Sequence, residues 1–236
     1  MERRIIVSVI GNAASTNPQY PSVYKTKWEL SFELGKALVD NGYRVLSGGG
    51  RGVMRAVFAG AHASKKYREG DTIALVPSYG QDTANDFADI VIPTGLDLAR
   101  DIIVANSKVV IAVGGGAGTL NELSAAWKLG HLIIAYENAD GWSKRIANHP
   151  VDECVRYPGM EDKVWGVTNA KEVIKIIKEK LPVYNCVFDR IPFGIPQLKK
   201  DVPASEWIGP IQIANDPFKI QPIENTTSRA KPVGKK

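Results

Sequence analysis

Three times along the chain a short run of Val, Ile and Leu ends in small, flexible residues and gives way to a stretch with helical periodicity. Ile5–Ile10 leads into Gly11-Asn12-Ala13-Ala14-Ser15-Thr16, Tyr43–Leu46 into Ser47-Gly48-Gly49-Gly50-Arg51-Gly52, and Val109–Val113 into Gly114-Gly115-Gly116-Ala117-Gly118-Thr119. A strand that turns through glycines into a helix is the repeating unit of a parallel sheet, because parallel neighbours need a crossover that returns the chain to the starting edge. Further apolar runs at Thr72–Val76, Ile90–Ile92 and Leu132–Ala135 extend the series. Between them lie the stripes Leu30/Leu34/Ala37/Leu38, Val53/Val57/Ala61/Ser64 and Leu120/Leu123/Trp127/Leu129, and a last helix is expected over Ala170–Leu181. The strands are apolar at both alternating positions, as they must be when helices cover both faces. The pattern predicts an α/β, Rossmann-like, doubly wound parallel sheet over residues 1–182, with its ligand beyond the carboxyl ends of the strands.

Those ends are where the glycines fall. Glycine lets the backbone approach a ligand closely, and unpaired N–H groups at a helix start, with the positive end of its dipole, favour an anion. Phosphate is the natural candidate, and Gly11, Asn12, Ser15, Gly49, Gly50, Gly52, Gly115, Gly116, Gly118 and Thr119 are the candidate binding residues. The competing explanation is that the glycines only make tight turns. No Gly-Lys-Ser/Thr follows any loop, and no G-x-G-x-x-G precedes a suitably placed acid, so ATP hydrolysis and hydride transfer lose ground. Glu122 is a candidate catalytic carboxylate on the helix that follows Gly118, although Thr119-Leu-Asn-Glu122 also matches a capping box. Arg100 is the second candidate, since a forked guanidinium suits a phosphate or carboxylate; the alternative is an ion pair with Asp97, Asp101 or Glu122. His62, His131 and His149 lack metal-ligand spacing, and no metal is expected. Trp142, after Asp140-Gly141, packs or lines a pocket.

The 236 residues are 44% hydrophobic and 23% charged, enough for one sizeable core with an extension. The net charge of +5 invites a nucleic-acid reading until it is located. Residues 183–236 hold eight Lys or Arg against five acids, and half of the 14 prolines. This segment reads as a Pro-rich, basic C-terminal arm with interleaved Phe, Trp and Ile, wrapping its own domain or a neighbouring subunit. Residues 1–182 are nearly neutral, which disfavours nucleic acid as the partner. Two cysteines make no disulfide framework, and the apolar run near the N-terminus is too short for a signal core or a membrane span; a cytoplasmic setting without membrane attachment is the expectation.

Taken together, Gly48-Gly-Gly-Arg-Gly-Val-Met54, Pro93-Thr-Gly95 with Arg100, and Gly115-Gly-Ala-Gly-Thr-Leu-Asn-Glu122 resemble the Lonely Guy and molybdenum cofactor carrier superfamily, whose members are often mislabelled lysine decarboxylases and are distantly similar to DNA-processing protein A. The resemblance covers about residues 4–181. It implies that Gly115, Gly116, Gly118 and Thr119 hold a phosphate, that Met54, Thr94 and Gly95 join the ligand-binding residues, that Arg100 fixes the substrate, and that Glu122 activates water or stabilises the charge developing on a ribose. In the phosphoribohydrolase branch this releases base and ribose 5-phosphate from a nucleoside 5′-monophosphate, with no cofactor required. Three departures place the chain nearer the carrier-like branch, in which the pocket holds a phosphorylated cofactor without cleaving it. Gly114 stands for the motif's proline, Asp101 for the lysine after the arginine, and Leu96–Ala99 lack a Met-His-Glu lead-in. The expectations are therefore a small phosphorylated ligand, a nucleotide or the molybdenum cofactor, bound by a homodimer or larger homo-oligomer. Hydrolysis of an N-glycosidic bond is one outcome, non-catalytic carriage or nucleotide sensing the alternative, and DNA handling by the basic arm a third.

Overall fold

The computed structural model describes residues 3–13, 21–157 and 159–187. The strands are β1 (Ile6–Gly11), β2 (Arg44–Ser47), β3 (Thr72–Val76), β4 (Ile90–Pro93), β5 (Val109–Val113), β6 (Leu132–Tyr136) and β7 (Trp165–Val167). The helices are α1 (Pro21–Asp40), α2 (Val53–His62), α3 (Arg100–Ala105), α4 (Ala117–Lys128), α5 (Trp142–Ile146) and α6 (Ala170–Val187), with a 3-10 turn over Asp97–Ala99. All seven strands join one parallel sheet in the order β4-β3-β2-β1-β5-β6-β7. The chain moves outward from β1 through β4, then returns to pair β5 with the other edge of β1, with Val7 opposite Val109 and Gly11 opposite Val113. The strand order reverses between β1 and β5, and a crevice opens at their carboxyl ends.

Alternation along each strand explains the two cores. Val7 and Val9, Val109 and Ile111, and Leu132 and Ile134 meet Leu34, Leu38, Val57, Val173 and Ile177 from α1, α2 and α6. Ile10, Val110, Ala112 and Ile133 point the other way, against Val104, Leu123, Ala126 and Trp127 from α3 and α4. Each Val, Leu or Ile among them, fully buried, contributes roughly 1.5–3 kcal/mol. The doubly wound α/β expectation holds. Three short elements, β7, α3 and α5, were not expected, and α6 continues past Leu181 with Pro182 inside it. The Pro-rich arm lies outside the described residues from 188 onward. Among the described residues no helix is long and apolar enough to cross a membrane.

Candidate functional site

A cavity of about 390 Å³ occupies the crevice between the ends of β1, β2 and β5, a size suited to a small molecule. Eight of the candidate residues line it: Gly11, Asn12, Met54, Arg100, Gly116, Gly118, Thr119 and Glu122. Gly48, Ser47, Leu98 and Asp101, absent from the candidates, line it too.

Its floor is the start of α4. Gly116 is the N-cap and no side chain caps the helix; the first bond back to the cap is Leu120 N–H to the Gly116 carbonyl, 3.0 Å. The amides before it have no partner within the helix. A Cβ built on Gly116 or Gly118 meets nothing within 4 Å, so the space above this turn is open to a ligand. The capping-box reading is corrected here. Thr119 sits inside α4 rather than at its cap, because the helix starts at Ala117. Glu122 consequently lies in the second turn.

Two glycines ahead of that turn are held by the protein itself. Gly114 adopts φ +66°, which excludes the proline of the resembled motif and any unstrained side chain. Its N–H donates to Ser143 Oγ at 2.7 Å, and its carbonyl accepts from Ser143 N–H at 2.9 Å. The Gly115 N–H donates to Asn12 Oδ1 (2.7 Å), which also accepts from Lys27 Nζ (2.8 Å). One amide oxygen thus ties β1, α1 and the loop after β5 together. Lys27 is 9% exposed, and burial lowers its pKa, against the opposing pull of Asp140.

Arg100 is the first residue of α3, and its guanidinium lies against Gly48: an added Cβ there would sit 2.1 Å from Nη1 and 2.9 Å from Cζ. Its Nε pairs with Asp101 Oδ1 at 3.5 Å, so one structural pairing weighed from sequence is present. Nη1 is buried and without a hydrogen-bond partner among the described residues, as is Ser47 Oγ. Buried unpaired donors of this kind are costly and call for a partner. Asp101 accepts from Asn121 Nδ2 at 3.3 Å. Glu122 is 8% exposed; burial, then the charge of Asp101, push its pKa up to about 8 against the opposing Arg100.

The remaining candidates do not line the cavity. Gly49 packs against Ala74, and its carbonyl accepts from Asn85 N–H and Nδ2. Gly50 lies under Met54, and Gly52 is the N-cap of α2. Thr94 N–H and Oγ1 both donate to the Val76 carbonyl, while Gly95 packs on the Tyr79 ring. Gly115 stands behind the loop, against Thr119. These five glycines and Thr94 shape turns. Ser15 lies outside the described residues. Trp142 packs on the α3/α4 core, and its backbone N–H donates to the Gly115 carbonyl. Sequence reasoning missed Lys27, whose position in α1 carries no motif, and Ser143, which sits in an unexpected helix.

The SLOG cluster4 family model matches residues 4–164. A cytokinin riboside 5′-monophosphate phosphoribohydrolase from Mycobacterium tuberculosis is 31% identical over 108 residues, 44% of this chain and 56% of that enzyme. Among solved structures, the molybdenum cofactor binding protein of Rippkaea orientalis is similar at 29% identity and TM-score 0.59, covering 75% of this chain and 98% of that one. The molybdenum cofactor carrier protein of Chlamydomonas reinhardtii is similar at 26% identity and TM-score 0.57, covering 76% and 99%.

Proposed function

The chain belongs to the SLOG cluster4 family, and from that premise we propose that it binds a phosphorylated nucleotide or nucleotide-like ligand in the cavity between β1 and β5 and hydrolyses the N-glycosidic bond of a nucleoside 5′-monophosphate. The observation that carries this reading is the convergence on one cavity of the uncapped start of α4, Arg100 and the buried Glu122. The phosphate sits over Gly116 and Gly118, held by amides and helix dipole. The Arg100 guanidinium donates to the phosphate or ribose. Glu122 in its acid form gives its proton to the base nitrogen as the bond to C1′ breaks and the bonding pair leaves with the base. Water adds to C1′ and returns a proton to the Glu122 carboxylate, so base and ribose 5-phosphate are the products. The sequence similarity to a phosphoribohydrolase supports this chemistry. The test is release of free base from a panel of nucleoside monophosphates by the purified protein; release no greater than from Glu122→Ala rejects hydrolysis.

A second reading, a non-catalytic carrier of the molybdenum cofactor as cargo or a nucleotide sensor, is favoured by the names of the two structural relatives and by Gly114 in place of proline. The same floor would hold the cargo's phosphate. Mass spectrometry of protein purified natively without oxygen is expected to show a retained phosphorylated pterin or nucleotide under this reading; empty protein that binds neither counts against it. In both readings the active form is a homo-oligomer in the cytoplasm.

A further inference from the structure

Arg100 and Glu122 face one cavity, and a buried arginine beside a buried carboxylate would ordinarily pair with it. Here the arginine is taken by its own neighbour. Asp101, 5% exposed, meets Arg100 Nε at 3.5 Å and is itself steadied by Asn121 Nδ2 at 3.3 Å. The guanidinium is planar, and contact at its Nε edge and one face against Gly48 leaves it little freedom. Of its two terminal nitrogens, Nη1 lies nearest Gly48, buried and without a partner among the described residues. Arg100, Asp101 and Glu122 are the only titratable side chains lining the cavity among the described residues; from α3 come the first two, from α4 the third, and the contributions of β1, β2 and the 3-10 turn are uncharged. Where the resembled family pattern carries a lysine after the arginine, this chain reverses the charge.

We propose that Asp101 is a positioning residue that keeps Arg100 and Glu122 apart: it holds Arg100 through Nε so that the guanidinium stays turned to the ligand's anion, and it leaves Glu122 to face the ligand and not to serve as the arginine's counter-ion. The proposal rests on the reading that a phosphorylated ligand fills this cavity. The Coulomb effect of Asp101 on Glu122 supports it, and so does its burial, since a nearby ionised carboxylate at low dielectric disfavours a second.

The test uses the full chain and two independent readouts. In a carboxyl-labelled NMR titration, Glu122 is expected to titrate near 8 in the wild type and at clearly lower pH in Asp101→Asn, in which Arg100 is free to swing to it. Binding of ribose 5-phosphate by calorimetry at neutral pH is expected to weaken about tenfold or more in Asp101→Asn, on the scale of a lost charge-assisted hydrogen bond. It is expected to recover in Asp101→Asn/Glu122→Gln, where the competing counter-ion is gone; a merely structural role predicts further loss in the double variant. Unchanged Glu122 titration in Asp101→Asn overturns the proposal, as does an unrescued double variant that folds. Should Asp101→Asn fail to fold, Asn121→Ala, which loosens Asp101, must shift the Glu122 titration downward, and no shift overturns the proposal. If Glu122 moves as expected while wild-type protein ignores ribose 5-phosphate, the Asp101 assignment stands and the ligand reading falls.

Discussion

Glycine does opposite work at neighbouring positions of this site. At Gly48 a methyl group would strike Arg100, whereas at Gly116 and Gly118 it would meet nothing. The second pair is therefore not explained by the packing of the protein, and a ligand is the natural occupant of the space. Gly118→Ala is expected to stabilise α4 by roughly 0.5–1 kcal/mol, since alanine is the better helix former, and to weaken nucleoside monophosphate binding about tenfold. A thermal melt and a calorimetric titration on the same preparation check both directions. Glu122 makes a second residue-scale prediction. Its folded pKa of about 8 stands above the ordinary 4.5, so between those values the native state keeps a proton that the unfolded chain has released. Stability accordingly falls as pH rises through that window and levels off above about 8. Glu122→Gln removes the dependence. Urea unfolding should find the variant close to wild type near pH 4.5 and more stable by about 4–5 kcal/mol at pH 8.5; parallel profiles would show that Glu122 is ionised in the folded protein.

Among the elements, α1 and α2 cross with almost no separation at Gly35 and Gly60. A Cβ at Gly60 would lie 1.9 Å from the Phe32 carbonyl oxygen, and one at Gly35 the same distance from that of Val57. Backbone cannot yield as a side-chain tip does, so Gly60→Ala is expected to cost about 3 kcal/mol or more in urea unfolding, against near neutrality for a surface glycine such as Gly42 replaced by asparagine. Six of the seven strands and the four longer helices were legible as apolar runs and stripes, because each buries a continuous face. The unseen elements are short ones. Trp165–Val167 has three residues, too few to show alternation, while Arg100–Ala105 and Trp142–Ile146 each span less than two turns. The last helix, expected over Ala170–Leu181, runs on through Pro182 to Val187. In the site, motif glycines were legible as a group, but not which of them shape turns and which lie open. That division depends on Asn12, Asn85, Ser143 and Tyr79, residues remote in sequence from the loops they brace.

At the scale of the molecule, exposed apolar residues gather on one flank. Ile90 and Ile92 of the edge strand, Leu96 and Leu98 of the turn after it, and Ile102 and Ile103 of α3 are all more than 40% exposed. A helix of six residues is too short to cover this end of the sheet. A second copy covering it would appear in light scattering as a dimer or larger assembly that Ile102→Asp shifts towards monomer; a monomeric wild type contradicts the expected homo-oligomer. Leu98 also lines the cavity, so the same contact would narrow its mouth. The switch of strand order between β1 and β5 has a consequence in time. β1 pairs with a strand that follows about 100 residues later, and the Asn12 to Gly115 bond spans 103 positions. At synthesis rates of about 5–20 residues per second, roughly 5–20 s pass between the two strands leaving the ribosome. During that interval β1 presents a bare Val- and Ile-rich edge on which two half-made chains can pair, and no amount of ligand can protect it, because the loop that would hold the ligand has not yet been made.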